Sequence, residues 1–205
     1  MTINVNVIAI ALGVIATVTH LAAYSLYMYN AHRHRAKPNS ACWTVWAVVS
    51  VINVVTYFAI SKDLVTIILP TFSSLTCVAA FLYALFRRKL KPLQTLDKQV
   101  LGIAGMAVIV WAVFRSAANA NVLLQVSETI SFVPQISDVR KDPKAEPPLP
   151  WFLWSAGYVL LIAVLLLKFD GDWMKLGYGL VYPLNLFVFH GIVGIIAVFK
   201  KPATT

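Results

Sequence analysis

Seven apolar stretches separated by charged breaks constrain this chain more than any other feature. They run over 5–29, 41–60, 64–86, 99–114, 119–137, 149–167 and 173–199. A helix rises about 1.5 Å per residue, so about 20 apolar residues cross the hydrocarbon core of a bilayer. The runs are continuously apolar and do not alternate, which points to membrane helices and away from a barrel. The 99–114 run is the shortest, and lengthening it takes in Arg115. Composition agrees: 60% of residues are apolar and 12% charged, against about 45–50% and about 25% in soluble domains. Such a chain is neither disordered nor a disulfide-stapled module. Cys42 and Cys77 lie inside apolar runs without metal-ligand spacing. Met1–Asn6 carries no positive charge and the first run exceeds a signal-peptide core, so it is expected to stay as a helix.

The net charge of +9 raises the question of a polyanionic partner, and the placement of the cations answers it. Arg33, Arg35 and Lys37 follow the first run, and Arg87, Arg88, Lys89, Lys91 and Lys98 the third. Arg140, Lys141 and Lys144 follow the fifth, and Lys200 and Lys201 the last. Only Lys62, Arg115, Lys168 and Lys175 fall on the opposite side. Cytoplasmic loops collect Lys and Arg, which predicts an outside N-terminus and a cytoplasmic C-terminus. The charge is therefore a topology signal, and no nucleic-acid partner is expected. His32-Arg33-His34-Arg35 reads as a loop touching anionic lipid.

The chain also repeats itself. Trp43 and Trp46 recur 108 residues later as Trp151 and Trp154, each pair opening the second helix of a triplet. Pro70 and Pro183 correspond, as do Phe86-Arg87-Arg88 and Phe199-Lys200-Lys201. The Trp offset sets His20 against Glu128. These matches predict an all-α membrane protein of seven transmembrane helices: a first triple-helix repeat over 1–90, a linker helix within 91–118, and a second repeat over 119–205. An odd linker puts both triplets in the membrane the same way up, so the repeats are parallel.

Within the fifth run, Ser131-Phe132-Val133-Pro134-Gln135-Ile136 precedes a short basic loop. This segment resembles the motif of the SWEET/PQ-loop superfamily of seven-helix transporters. The resemblance implies a 3+1+3 arrangement of parallel triplets with the N-terminus outside, as in transporters with repeats about an axis along the membrane normal. Pro183 with Asn185 is similar to the proline–asparagine pair that SWEETs hold near substrate; Pro70 with Ser73 is its counterpart. At the positions equivalent to Pro134-Gln135 the first triplet has Leu26 and Tyr27. Substrates implied by the resemblance are sugars, amino acids and, in related folds carrying WxxW, vitamin nucleosides.

Polar residues at membrane depth supply the candidate site. Glu128 lies nine residues from either end of its run, about 13 Å at 1.5 Å per residue. An acid there is costly unless neutral or paired, so it is a candidate proton site or substrate anchor, or else a bond between helices. His20 sits at similar depth and, with Glu128, forms a candidate pair across a central cavity; His190 is a weaker candidate. Trp43, Trp46, Ser50, Asn53 and Tyr57 share one helix face, as do Tyr178, Tyr182, Asn185 and Phe189. Glu128, Ser131 and Gln135 line up in the fifth run, and His20, Tyr24 and Tyr27 in the first. Rings mixed with amides suit a polar solute or an ordinary helix seam. The expected substrate-binding residues are Glu128, His20, Asn185, Asn53, Trp46, Trp154, Gln135 and Tyr182. Pro134, Pro70 and Pro183 are hinge candidates.

No glycine-rich phosphate loop, HExxH or GxSxG occurs, and no lysine stands mid-way along the last run for a retinal Schiff base. Neither enzyme activity, a metal nor a cofactor is expected. The expected function is a multi-pass transporter of a small polar solute by alternating access, either proton-coupled through Glu128, with or without His20, or facilitative, in a plasma (inner) membrane or an endomembrane. A receptor or sensor on the same fold is the alternative. Expected partners are a small-molecule substrate and the lipid bilayer, and the reading is compatible with a homo-oligomer.

Overall fold

A computed structural model describes residues 4–114 and 117–199. Seven helices follow one another: α1 (Val5–His32), α2 (Ser40–Ser61), α3 (Leu64–Phe86), α4 (Thr95–Phe114), α5 (Ala117–Lys141), α6 (Pro148–Leu167) and α7 (Trp173–Val198), with a 3₁₀ turn at Pro143–Ala145. The described residues contain no strand. Arg115, Lys200 and Lys201, which enter the charge asymmetry, lie outside the described residues.

Local chemistry sets the ends. Asn39 caps α2 through Cys42 N, Asp63 caps α3 through Val65 N, and Asp172 caps α7 through Lys175 N, each satisfying an amide the helix cannot. Pro148 opens α6, where its missing N–H costs nothing. Lys62 ends α2 in the left-handed region (φ 51°), letting the chain turn straight into α3.

Among the described residues, five helices are long and apolar enough to cross a membrane: α1, α2, α3, α6 and α7. This makes the chain a multi-pass membrane protein. α5 differs by carrying Asn121, Gln125, Ser127, Glu128, Ser131 and Gln135, all buried. Large apolar side chains such as Val14, Val18, Val55, Leu75, Val159 and Ile195 face outward, an inversion of the soluble pattern that suits a lipid surround.

The packing order is specific. α3 lies between α1 and α2, and α7 lies between α5 and α6. α1 packs along α6, and α2 along α5, while α4 leans on α5 and α2. Leaving α4 aside, the set of neighbouring pairs is unchanged when α1, α2 and α3 are exchanged for α5, α6 and α7. The α1–α6 seam uses small residues: Ala9, Gly13, Ala16 and Ala23 are buried on α1. Opposite them, a Cβ on Gly157 would fall 2.1 Å from the His20 ring, so only glycine permits this approach.

Candidate functional site

Where α1–α3 meet α5–α7, Glu128, His190, Trp46, Tyr24, Tyr182 and Ser73 surround a small cavity of about 20 Å³, with Ser50, Cys77, Tyr158 and Leu186 completing the wall. That is room for one water. Glu128 is 3% exposed and its Oε2 has no hydrogen-bond partner among the described residues. The hydrogen bonds among the surrounding side chains are long: Tyr24 hydroxyl to Ser73 Oγ is 3.5 Å, and Tyr158 to Tyr182 is 3.3 Å. His190 donates from Nδ1 to the Leu186 carbonyl at 2.7 Å, which leaves Nε2 as its acceptor. Trp46 lies against the cavity and donates from Nε1 to Ser131 Oγ at 2.7 Å.

The expected pairing of His20 with Glu128 is not what the structure contains. His20 lies behind the cavity wall: its Nε2–H donates to the Trp154 carbonyl at 3.1 Å, and Nδ1 accepts from Ser73 at 3.4 Å. The α1–α6 seam holds the ring, edge-on to Tyr158 with centroids 4.6 Å apart. Asn53 and Asn185 also stay off the cavity wall. Asn53 Oδ1 accepts from Asn121 at 2.8 Å and from Gln125 at 3.4 Å. Asn185 donates to Gln125 Oε1 at 3.1 Å and accepts from Thr129 at 2.8 Å. The amides thus tie α2, α5 and α7 together through Gln125, as buried amides must find partners. Pro70, Pro134 and Pro183 lie inside α3, α5 and α7.

The two tryptophan pairs converge. Trp43 and Trp46 centroids are 5.6 Å apart, Trp151 and Trp154 are 5.2 Å apart, and Trp46 reaches Trp151 at 6.0 Å. Tyr27 packs on Trp43, Trp151 and Trp154. Below this cluster, Glu146 in the α5–α6 connection accepts from the Tyr27 hydroxyl and from Trp151 Nε1, both at 3.1 Å. Gln135 is fully buried beside it with neither amide atom bonded, and Trp154 Nε1 is also unbonded.

At the opposite end, a vestibule of about 360 Å³ opens between the α2–α3 turn and the α6–α7 loop, lined by Lys62, Asp63, Lys168, Asp170 and Lys175 with Leu165 and Gly179 as its floor. Lys168 and Asp63 pair across it at 3.0 Å. Tyr57 donates to the Gly179 carbonyl at 3.0 Å and packs on Tyr182 with centroids 5.6 Å apart, so the two tyrosines partition vestibule from cavity.

Of the expected substrate-binding residues, Glu128, Trp46 and Tyr182 line the cavity; His20, Trp154, Gln135, Asn53 and Asn185 support it or serve elsewhere. Tyr158, Cys77, Gln125 and Glu146 go beyond the sequence reading. Gln125 was within reach, since the Glu128, Ser131 and Gln135 stripe extends backwards through it to Asn121. Glu146 had no periodic signal, because it stands in a loop. No three His, Cys, Asp or Glu side chains converge among the described residues. Compared with known proteins, the chain matches no family model, no curated protein and no solved structure.

Proposed function

We propose that this protein is a seven-span membrane transporter that moves a small polar solute by alternating access through the cavity around Glu128. The observation that carries the reading is the cavity itself, which lies between α1–α3 and α5–α7 and holds a buried carboxyl oxygen without a partner among the described residues. An uncompensated acid at membrane depth is a functional-site hypothesis by default. The vestibule supplies an approach from one end, and its about 360 Å³ is within the range of small-molecule pockets. The tryptophan cluster closes the other.

The exchange of neighbours between α1–α3 and α5–α7 supports two parallel repeats with α4 as the linker, in keeping with the SWEET/PQ-loop resemblance. The placement of Lys and Arg supports a cytoplasmic Glu146 end and an outside N-terminus, so the vestibule faces outward. Rocking of one triplet against the other, with Pro70, Pro134 and Pro183 as hinges, would part the Tyr57–Tyr182 layer or the tryptophan layer in turn.

Uptake of radiolabelled sugars, amino acids and nucleosides by proteoliposomes tests the reading. The expected result is accumulation of one class, accelerated by a proton gradient in the wild type and insensitive to it in Glu128→Gln. Unchanged proton dependence in that variant would sink the coupling. A solute that stabilises the purified protein against heat but never accumulates would make the molecule a receptor.

A further inference from the structure

Glu146 stands in the Asp142–Pro147 connection, where surface loops ordinarily keep acids in water. Here it is 2% exposed. Its two oxygens accept from neutral donors on different triplets, Tyr27 on α1 and Trp151 on α6. The following residues are Pro147 and Pro148, which have no N–H, so the start of α6 offers it fewer backbone donors than a usual helix terminus. It forms no salt bridge among the described residues, and the nearby Lys91 is committed to Asp138 at 2.9 Å. Beside it stands the buried Gln135 amide, a neutral group that brings no positive charge to balance a carboxylate.

We propose that Glu146 is a proton-binding site, separate from the central cavity, whose occupancy sets how firmly this end of the bundle stays shut. Burial pushes its carboxyl up to about 7, against the opposing pull of Gln135, Trp151, Tyr27 and Lys91. Parting Tyr27 from Glu146 would return the group to water and to its ordinary 4.5. The shut form therefore holds a proton that the open form releases. Acidification through the interval from about 7 to about 4.5 favours closure, and above about 7 the buried charge opposes it.

Other titratable and charged groups stand at this end, among them the exposed His32 of α1 and His34 just beyond it, whose contribution the Glu146→Gln variant keeps apart from that of Glu146. Tyr27 faces it from α1, and Cys42 stands near it on α2. Asp138 from α5 is held by Asn39 and Lys91, and Asp97 from α4 by Asn39 and Gln94 N. Lys37 reaches Asp142 at the exposed rim. α7, which packs on the 143–145 turn, has no titratable side chain after His190 among its described residues.

The experiment uses the full chain in lipid nanodiscs, with spin labels at Arg33→Cys and Lys144→Cys, both exposed and on opposite halves of this end. Pulsed dipolar spectroscopy then reads the distance across it without any solute. Between about pH 5.5 and about pH 8.5 the open-to-shut ratio should rise about thirtyfold, the linkage result for a group moving from about 7 to 4.5. Glu146→Gln, which mimics the protonated acid, should keep the short distance at both pH values. Tyr27→Phe removes a donor to the carboxylate and should move the midpoint upward. A wild-type pH response retained in Glu146→Gln overturns the proposal, as does an unmoved midpoint in Tyr27→Phe or a wild type indifferent to pH. The readout needs no transport, so its failure is distinct from failure of the transporter reading.

Discussion

The two ends of the bundle are held by different means. At the Glu146 end, the triplets are joined by Tyr27 to Glu146, Asn39 to Asp138, Lys91 to Asp138, and Lys37 N to the Ala145 carbonyl, beneath a tryptophan cluster. At the Asp63 end, the joins are the Lys168–Asp63 ion pair and the Tyr57–Gly179 bond, around an open vestibule. Buried bonds among rings resist separation because breaking them strands polar groups. The Lys168–Asp63 pair has side chains 22% and 26% exposed, so water takes over its partners when it opens. Held this way, the vestibule end costs less to part than the Glu146 end.

The comparison can be broken most directly with large-to-small changes. Trp151→Ala removes a fully buried ring and should cost about 3–5 kcal/mol of unfolding stability. Leu165→Ala, at the vestibule floor, should cost about 2 kcal/mol. Equal losses in denaturant titrations would refute the difference in packing. Gly157→Ala acts on the seam that both ends share. Its Cβ would displace His20 from the Trp154 carbonyl, at about 1–3 kcal/mol, read as a lower melting temperature.

A matched pair of hydroxyl deletions sharpens the contrast. Tyr27→Phe takes a donor from a buried carboxylate and should cost about 1–3 kcal/mol, while Tyr57→Phe should cost about 0.5–1.5 kcal/mol. If thermal melts reverse that order, the Glu146 end is not the firmer one. Asp63→Asn is expected to cost at most about 1 kcal/mol, and the loss should shrink in high salt because the pair is partly solvated. Asp170→Asn should leave the melting temperature unmoved, since its pair with Lys175 is exposed.

Much of the architecture was legible because hydropathy and helix length are local properties. The 41–60 and 64–86 runs became Ser40–Ser61 and Leu64–Phe86, and 149–167 became Pro148–Leu167. The 119–137 run grew to Ala117–Lys141 because polar residues continue the helix beyond the apolar stretch. Glu128, Trp46 and Tyr182 were legible as cavity residues, for each stands out on a helix face. The amides were harder: Asn53 and Asn185 looked like substrate contacts, yet both are spent on Gln125. A sequence shows that a buried amide needs a partner without showing which partner it has.

What the sequence by itself determined is the number of helices, their lengths, and the presence of costly polar groups at membrane depth. Tertiary structure alone decided which of those groups meet. His20 bonds a carbonyl 134 residues away, and Glu146 joins a hydroxyl 119 residues away. Hydropathy is summed over neighbours along the chain, whereas a hydrogen bond depends on atoms about 3 Å apart in space, and only packing brings such atoms together.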